Sequence, residues 1–147
     1  MVSRMEADIL VLGCWSELRE QALPLRLAVF VKEQGVPLEL ECDEFDEQAI
    51  HALVTNQVGR VIATGRLLAD GRIGRLAVAP ERRSTGVGTR VLQALMDRAR
   101  DLGMGQVHLH ARFEAEPFYR KFGFTSQGGV FDEAGSPHIH MVRDFSG

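Results

Sequence analysis

Residues 76–89 read Leu-Ala-Val-Ala-Pro-Glu-Arg-Arg-Ser-Thr-Gly-Val-Gly-Thr. An apolar strand ends there, a short glycine-bearing loop follows, and a long amphipathic helix begins at once. The first backbone N–H groups of a helix lack intrahelical partners and its dipole points its positive end outward, so a helix start attracts anions. Gly86 and Gly88 carry no Cβ, which lets a phosphate approach the backbone, and Arg82 and Arg83 add charge beside it. The stretch reads as a pyrophosphate cradle.

The elements around the loop predict an α+β domain. Upstream, Asp8–Gly13 is a compact strand candidate, and residues 16–34 look helical, with Leu18, Ala22, Leu25, Val29 and Phe30 near one face. Pro24 predicts a break in that helix, and Gly35 and Pro37 end it. Glu39 to Glu47 reads as an acidic, solvated loop. Ile50–Thr55 and Val58–Leu68, joined at Asn56-Gln57, and then Arg72–Val78 after the Asp70-Gly71 turn, form an antiparallel meander. Downstream, Val87, Val91, Leu95, Ala99 and Leu102 make the apolar stripe of the long helix, which Gly103 and Gly105 terminate. The crossover from strand 72–78 through this helix to Gln106–Ala111 predicts parallel pairing of the two strands. A short helix at 115–122, a strand from Gly123-Phe124 and a last strand at Pro137–Phe145 complete the order βαα-βββ-αβ-αβ-β. The expected architecture is one domain over residues 1–147, with a central mixed, mostly antiparallel sheet and helices on both faces.

Composition narrows the functional classes. The chain has 147 residues, 45% hydrophobic and 25% charged, which are ordinary globular values. A net charge of −3 and the lack of an aromatic-basic platform argue against nucleic acid and anionic membrane as partners. Cys14 and Cys42 are too few for a disulfide framework and lack metal-ligand spacing. Neither a signal peptide nor an apolar run long enough to span a bilayer is present, so a cytoplasmic location is expected.

Two common phosphate motifs are excluded. No Gly-Lys-Ser/Thr occurs, so the loop is no P-loop, and Val91 stands where a dinucleotide fingerprint has its third glycine. The remaining pattern, Arg83-x-x-Gly86-x-Gly88, resembles the coenzyme A signature of the GCN5-related N-acetyltransferase (GNAT) superfamily. Ala115-Glu-Pro-Phe118-Tyr119-Arg-Lys-Phe122-Gly123-Phe124 is similar to that superfamily's Ala-x-x-Phe-Tyr-x-x-x-Gly-Phe element. Val29-Phe30-Val31-x-Glu33-Gln34, Ala63-Thr64-Gly65-Arg66-Leu67 and Phe131-x-Glu133-x-Gly135-x-Pro137-His138 look like its ElaA/YjcF-type branch.

The resemblance implies the GNAT acyl-CoA N-acyltransferase fold and an enzyme that uses acetyl-CoA and no metal. The acceptor it implies is a small-molecule or peptide amine. It also suggests a homodimer, for which no symmetric interface is legible. It places the pantetheine arm in a V-shaped gap beside the backbone of Leu76, Ala77 and Val78, with Phe118 on the cofactor side. The N–H groups of Arg83, Ser84, Thr85, Gly86, Val87, Gly88 and Thr89 would cradle the pyrophosphate. Tyr119 matches the position whose phenol reprotonates the coenzyme A sulfur.

A base for the amine is harder to read. His108 and His110 alternate on one strand and share a face. His110 and Glu33 are the candidate bases, and His51 and His138 come from segments that could line the acceptor side. Where many members of the superfamily have asparagine before the second motif, this chain has Arg112. Arg66 and Arg75 could bind an acceptor carboxylate or pair with nearby acidic residues. A catalytically silent acyl-CoA-binding sensor remains the alternative to an enzyme.

Overall fold

The computed structural model describes residues 8–36 and 43–145. Pro37, Cys42 and the first part of the acidic stretch (39–42) lie outside the described residues. Strand β1 (Ile9–Gly13) leads into helix α1 (Trp15–Arg26), whose start is closed by a capping box. There the Cys14 N–H donates to Glu17 Oε1 at 3.1 Å.

The break expected at Pro24 does not occur. The helix runs through Pro24 to Arg26 and then changes character, becoming a π-helix over Leu27–Glu33. Proline removes one N–H from the ladder, and the chain continues with wider spacing, as in the 3.0 Å bond from Gln34 N–H to Val29 O. Packing of Trp15, Leu18 and Ala22 against Leu53 outweighs the local penalty.

A 3-10 turn (Glu44–Gln48) precedes three strands, β2 (Ile50–Thr55), β3 (Val61–Leu67) and β4 (Ile73–Val78). A second 3-10 turn (Pro80–Arg82) leads to the long helix α2 (Val87–Asp101) and then to β5 (Gln106–Arg112). The short α3 (Glu116–Arg120) and the hairpin of β6 (Thr125–Glu133) and β7 (Ser136–Asp144) end the chain. The fold is the expected α+β arrangement.

The sheet comes in two antiparallel halves, ordered β1-β2-β3-β4 and β5-β7-β6. The parallel pairing expected between β4 and β5 is reduced, among the described residues, to one bridge between Arg72 and His108. The His108 N–H donates to Gly71 O at 3.0 Å, and beyond that point the two strands diverge. A bulge in the β3–β4 pairing opposite Gly65 puts Arg75 at φ 52°.

Strand alternation sends successive β3 side chains to opposite faces. Thr64 and Arg66 turn toward α1, while Ala63, Gly65 and Leu67 turn toward α2. The apolar stripe of α2, Val87, Val91, Leu92, Leu95, Met96 and Ala99, is fully buried on that second face. Gly65 is where helix and sheet come closest. A Cβ there would lie 2.7 Å from Leu76 Cδ2 and 2.8 Å from Val91 Cγ1. Gly65→Ala is therefore expected to destabilise the protein by about 1–3 kcal/mol, because a packed core has no room for the methyl group. Urea denaturation checks this as a lowered midpoint with an unchanged slope.

Candidate active site

The loop after β4 is organised around an open helix end. Ser84 (φ 65°) and Gly86 (φ 91°) are both left-handed, and Gly86 caps α2 with, among the described residues, no side chain bonded to the first-turn N–H groups. A Cβ at Gly86 would meet open space, so its glycine serves the conformation. At Gly88 a Cβ would come within 3.3 Å of Val78 Cγ2, so there the glycine serves close packing against the end of β4. The first helical bond of this turn runs from the Arg90 N–H to Gly86 O at 3.1 Å, leaving the N–H groups of Val87, Gly88 and Thr89 as the helix's orphan donors.

The loop's arginines are already held. Arg82 pairs with Asp8, and Arg83 grips Glu33 through two bonds of 2.7 Å. Arg83 Nε also donates to Val78 O at 3.1 Å, and Thr85 Oγ1 donates to Arg82 O. Glu33 thus belongs to the loop. Its hydrogen bond to Arg83 holds its carboxyl below the usual range despite slight desolvation, and it does not line the neighbouring cavity. The candidate base Glu33 is therefore not brought together with Tyr119 or His110.

That cavity, about 370 Å³, opens where β4 and β5 diverge. The π-helix and its C-cap contribute Phe30 and Gln34, Arg72 comes from just before β4 and Arg75 and Leu76 from β4 itself, and β5 contributes Leu109, His110 and Arg112. Tyr119 of α3 and Glu133 and His138 of the last hairpin complete the wall. Tyr119 packs edge-on against Phe118 and Phe124, with ring centroids 5.1 and 5.9 Å away. Burial pushes its phenol up to about 12, so it stays protonated and can donate. Phe118 is itself one-third exposed and lies outside the cavity wall.

Beside the cavity sits a buried ionic cluster, and here the solvated-loop expectation is corrected. Asp46 is fully buried and takes Arg26 in a two-pronged pair at 2.9 and 3.1 Å. Arg66, also buried, donates from Nη1 to Asp43 at 2.7 Å and to Asp46 at 2.8 Å, and from Nη2 to Asp43 at 3.0 Å. Arg75 Nη2 reaches Asp43 at 3.2 Å. Among the described acidic residues of the run, Glu44 and Glu47 keep the solvated character expected of it. Burial opposes ionisation of Asp46, but the hydrogen bonds and charges of Arg26 and Arg66 outweigh it and hold the carboxyl at about 2.

The same cluster accounts for His51. It is 2% exposed, lies against Trp15 with ring centroids 4.7 Å apart, and donates from Nε2 to Asp46 O at 2.9 Å. Burial lowers its pKa and favours the neutral ring. It does not reach the cavity, unlike Arg66, Arg75 and His138, which do. Arg66 lends little to an acceptor, since both terminal nitrogens are committed to carboxylates. Its Nε alone is without a partner among the described residues. In the sequence Asp46 reads as part of an acidic, solvated loop, and neither Arg26 nor Glu133 carries a role there.

A diverging β4–β5 pair, an open helix start at one end and a tyrosine-bearing cavity at the other define an acyl-transfer enzyme. The acetyltransferase (GNAT) domain family matches residues 14–145, and the chain belongs to it. It is 37% identical to the uncharacterized N-acetyltransferase YjcF of Bacillus subtilis (strain 168), over 87% of this chain and 94% of that one. Among solved structures it is similar to Escherichia coli ElaA (TM-score 0.84, 29% identity, 92% of this chain and 99% of that one). It is also similar to an acyl-CoA N-acyltransferase from Pseudomonas aeruginosa (TM-score 0.84, 27% identity, 93% and 99% covered). The enzyme is an acetyltransferase with a coenzyme-A-derived co-substrate.

Proposed function

We propose that the protein moves an acetyl group from acetyl-CoA to a primary amine of a small molecule or peptide, by direct attack of the amine on the thioester. The observation that carries this reading is the protonated Tyr119 phenol in the cavity where β4 and β5 part. Bound there, the co-substrate supplies an activated acyl group. The backbone of Leu76, Ala77 and Val78 offers its β5-facing edge to the pantetheine amides, and the N–H groups of residues 84–89 hold the pyrophosphate, with Phe118 flanking. The Arg83 N–H, expected in the cradle, donates instead to Pro80 O at 3.4 Å. Tyr119 donates its O–H to the sulfur as the carbon–sulfur bond breaks. The remaining cavity, with Arg75 and His138 in its wall, receives the acceptor.

Thiol release from acetyl-CoA in the presence of an amine collection tests the reading. Release that depends on an acceptor supports it. Coenzyme A binding with no acceptor-dependent release from any amine favours the acyl-CoA sensor instead. A second measurement addresses the cradle. Gly86→Val forces a β-branched residue into a left-handed conformation and is expected to weaken coenzyme A binding about tenfold, as read by calorimetry. We place the activity in a single domain over residues 1–147 in the cytoplasm; among the described residues no helix is long and apolar enough to cross a membrane. Light scattering of the purified protein tests the homodimer.

A further inference from the structure

We propose that Glu133 holds His110 in the Nδ1–H form, so that His110 Nε2 takes the proton the acceptor ammonium must lose before it can attack. The inference rests on the N-acetyltransferase reading and deepens it by assigning the base. His110 lies on β5 directly opposite His140 of β7, and Glu133 stands at the end of β6 opposite Ser136. His110 Nδ1 is 2.7 Å from Glu133 Oε1. Arg72 Nη2 is 3.0 Å from the same Nδ1 and 3.9 Å from Glu133 Oε1.

The two contacts at Nδ1 cannot both be hydrogen bonds, because Arg72 can only donate and a carboxylate can only accept. A lone pair on Nδ1 would face a carboxylate oxygen at 2.7 Å, which is repulsive, whereas an N–H there makes a short charge-assisted bond. The proton therefore sits on Nδ1, and Arg72 acts on the carboxylate by its charge. Nε2 is left as a lone pair with no partner among the described residues.

The ring is also fixed in place. Phe131 meets it edge-on at 5.1 Å and His140 at 5.5 Å between centroids. His138 Nε2 lies 4.0 Å from the other Glu133 oxygen, while His138 Nδ1–H donates to Ser136 O at 2.9 Å. His110, Glu133 and Arg72 line the same cavity as Tyr119, so a proton acceptor and a proton donor face one space. A carboxylate that orients a histidine, which in turn faces the reacting group, is the arrangement general-base catalysis needs.

The protons balance. The ammonium gives one proton to His110 Nε2, and its lone pair forms the carbon–nitrogen bond as the carbon–sulfur bond breaks. The nitrogen sheds its second proton to water as the amide forms, and the thiolate leaves hydrogen-bonded to the Tyr119 hydroxyl and takes a proton from solvent. His110 returns its proton to solvent.

The first test needs no substrate. Long-range proton–nitrogen correlation spectra of protein labelled with nitrogen-15 histidine are expected to show His110 as Nδ1–H in wild type, and that preference is expected to disappear in Glu133→Ala. An Nε2–H form of His110 in wild type overturns the proposal. The second test uses an amine that the wild type acetylates. His110→Ala is expected to lower kcat about 100-fold with the KM for acetyl-CoA unchanged, and added imidazole to restore part of the rate. His110→Gln, which keeps a polar side chain in the wall, is expected to show the same loss, and coenzyme A binding by either variant certifies the fold. Turnover within about twofold of wild type in both variants overturns the assignment and leaves the acetyltransferase reading standing. Absence of acceptor-dependent turnover in the wild type overturns that reading and this inference with it.

Discussion

Tyr119→Phe is expected to lower kcat by about 100- to 1,000-fold while the affinity for coenzyme A stays within about twofold. The substitution removes one O–H and keeps the ring, so the edge contacts to Phe118 and Phe124 survive and the fold is spared. What is lost is a donor at the breaking bond. The magnitudes say what kind of donor it is. With the phenol pushed up to about 12 and a thiol at about 8.5, complete transfer of its proton to a thiolate costs about 5 kcal/mol. A hydrogen bond that strengthens as charge gathers on sulfur needs no such transfer, and it is the larger part of the phenol's contribution. Single-turnover rates measured with saturating acetyl-CoA test this, and equal rates in the two proteins would remove Tyr119 from the chemistry.

Asp46→Ala is expected to destabilise the protein by about 3–5 kcal/mol, because it leaves two buried guanidinium groups short of a counter-charge. Arg26 and Arg66 are 1% and 4% exposed and cannot turn outward to water. Asp43 still serves Arg66 in that variant. The pH dependence has a definite sign. The carboxyl is held at about 2 against an ordinary 3.8, so its contribution is complete above about pH 4 and is lost as pH falls through 2. That difference corresponds to about 2 kcal/mol of wild-type stability. Guanidinium denaturation of both proteins at pH 7 and at steps down to pH 2 reads the effect. An Asp46→Ala protein within about 1 kcal/mol of wild type at pH 7 would mean the pair carries no net weight.

The parts of the fold legible in the chain are those set by neighbours in sequence. The Asp70-Gly71 turn, the stripe from Val87 to Ala99 and the glycines at 86 and 88 each declare their geometry within a few residues. The motif pair around Gly86 and Tyr119 was legible for the same reason. What stayed hidden depends on distance. Asp46 reads as one more solvated acid because charged residues are rarely buried, and only the fold brings Arg26 and Arg66 against it. Pro24 reads as a helix end because the packing of Trp15 and Leu18 on Leu53 cannot be seen locally. Glu133 gains meaning only when the β6–β7 hairpin sets it beside His110 of β5. The parting of β4 from β5 is likewise a property of two strands and of neither one alone.

The π-helix at Leu27–Glu33 has a consequence for how the chain can be edited. A helix with a wider turn behaves as an α-helix carrying a surplus residue, and each residue of an α-helix advances the side chains by about 100° around the axis. The surplus is what points Phe30 and Gln34 at the cavity while Glu33 faces Arg83. Deleting one residue between Leu27 and Val29 would let the segment relax to ordinary α-helix, with every backbone bond regained. It would also rotate Phe30, Glu33 and Gln34 together, away from both of the partners that the irregular turn supplies.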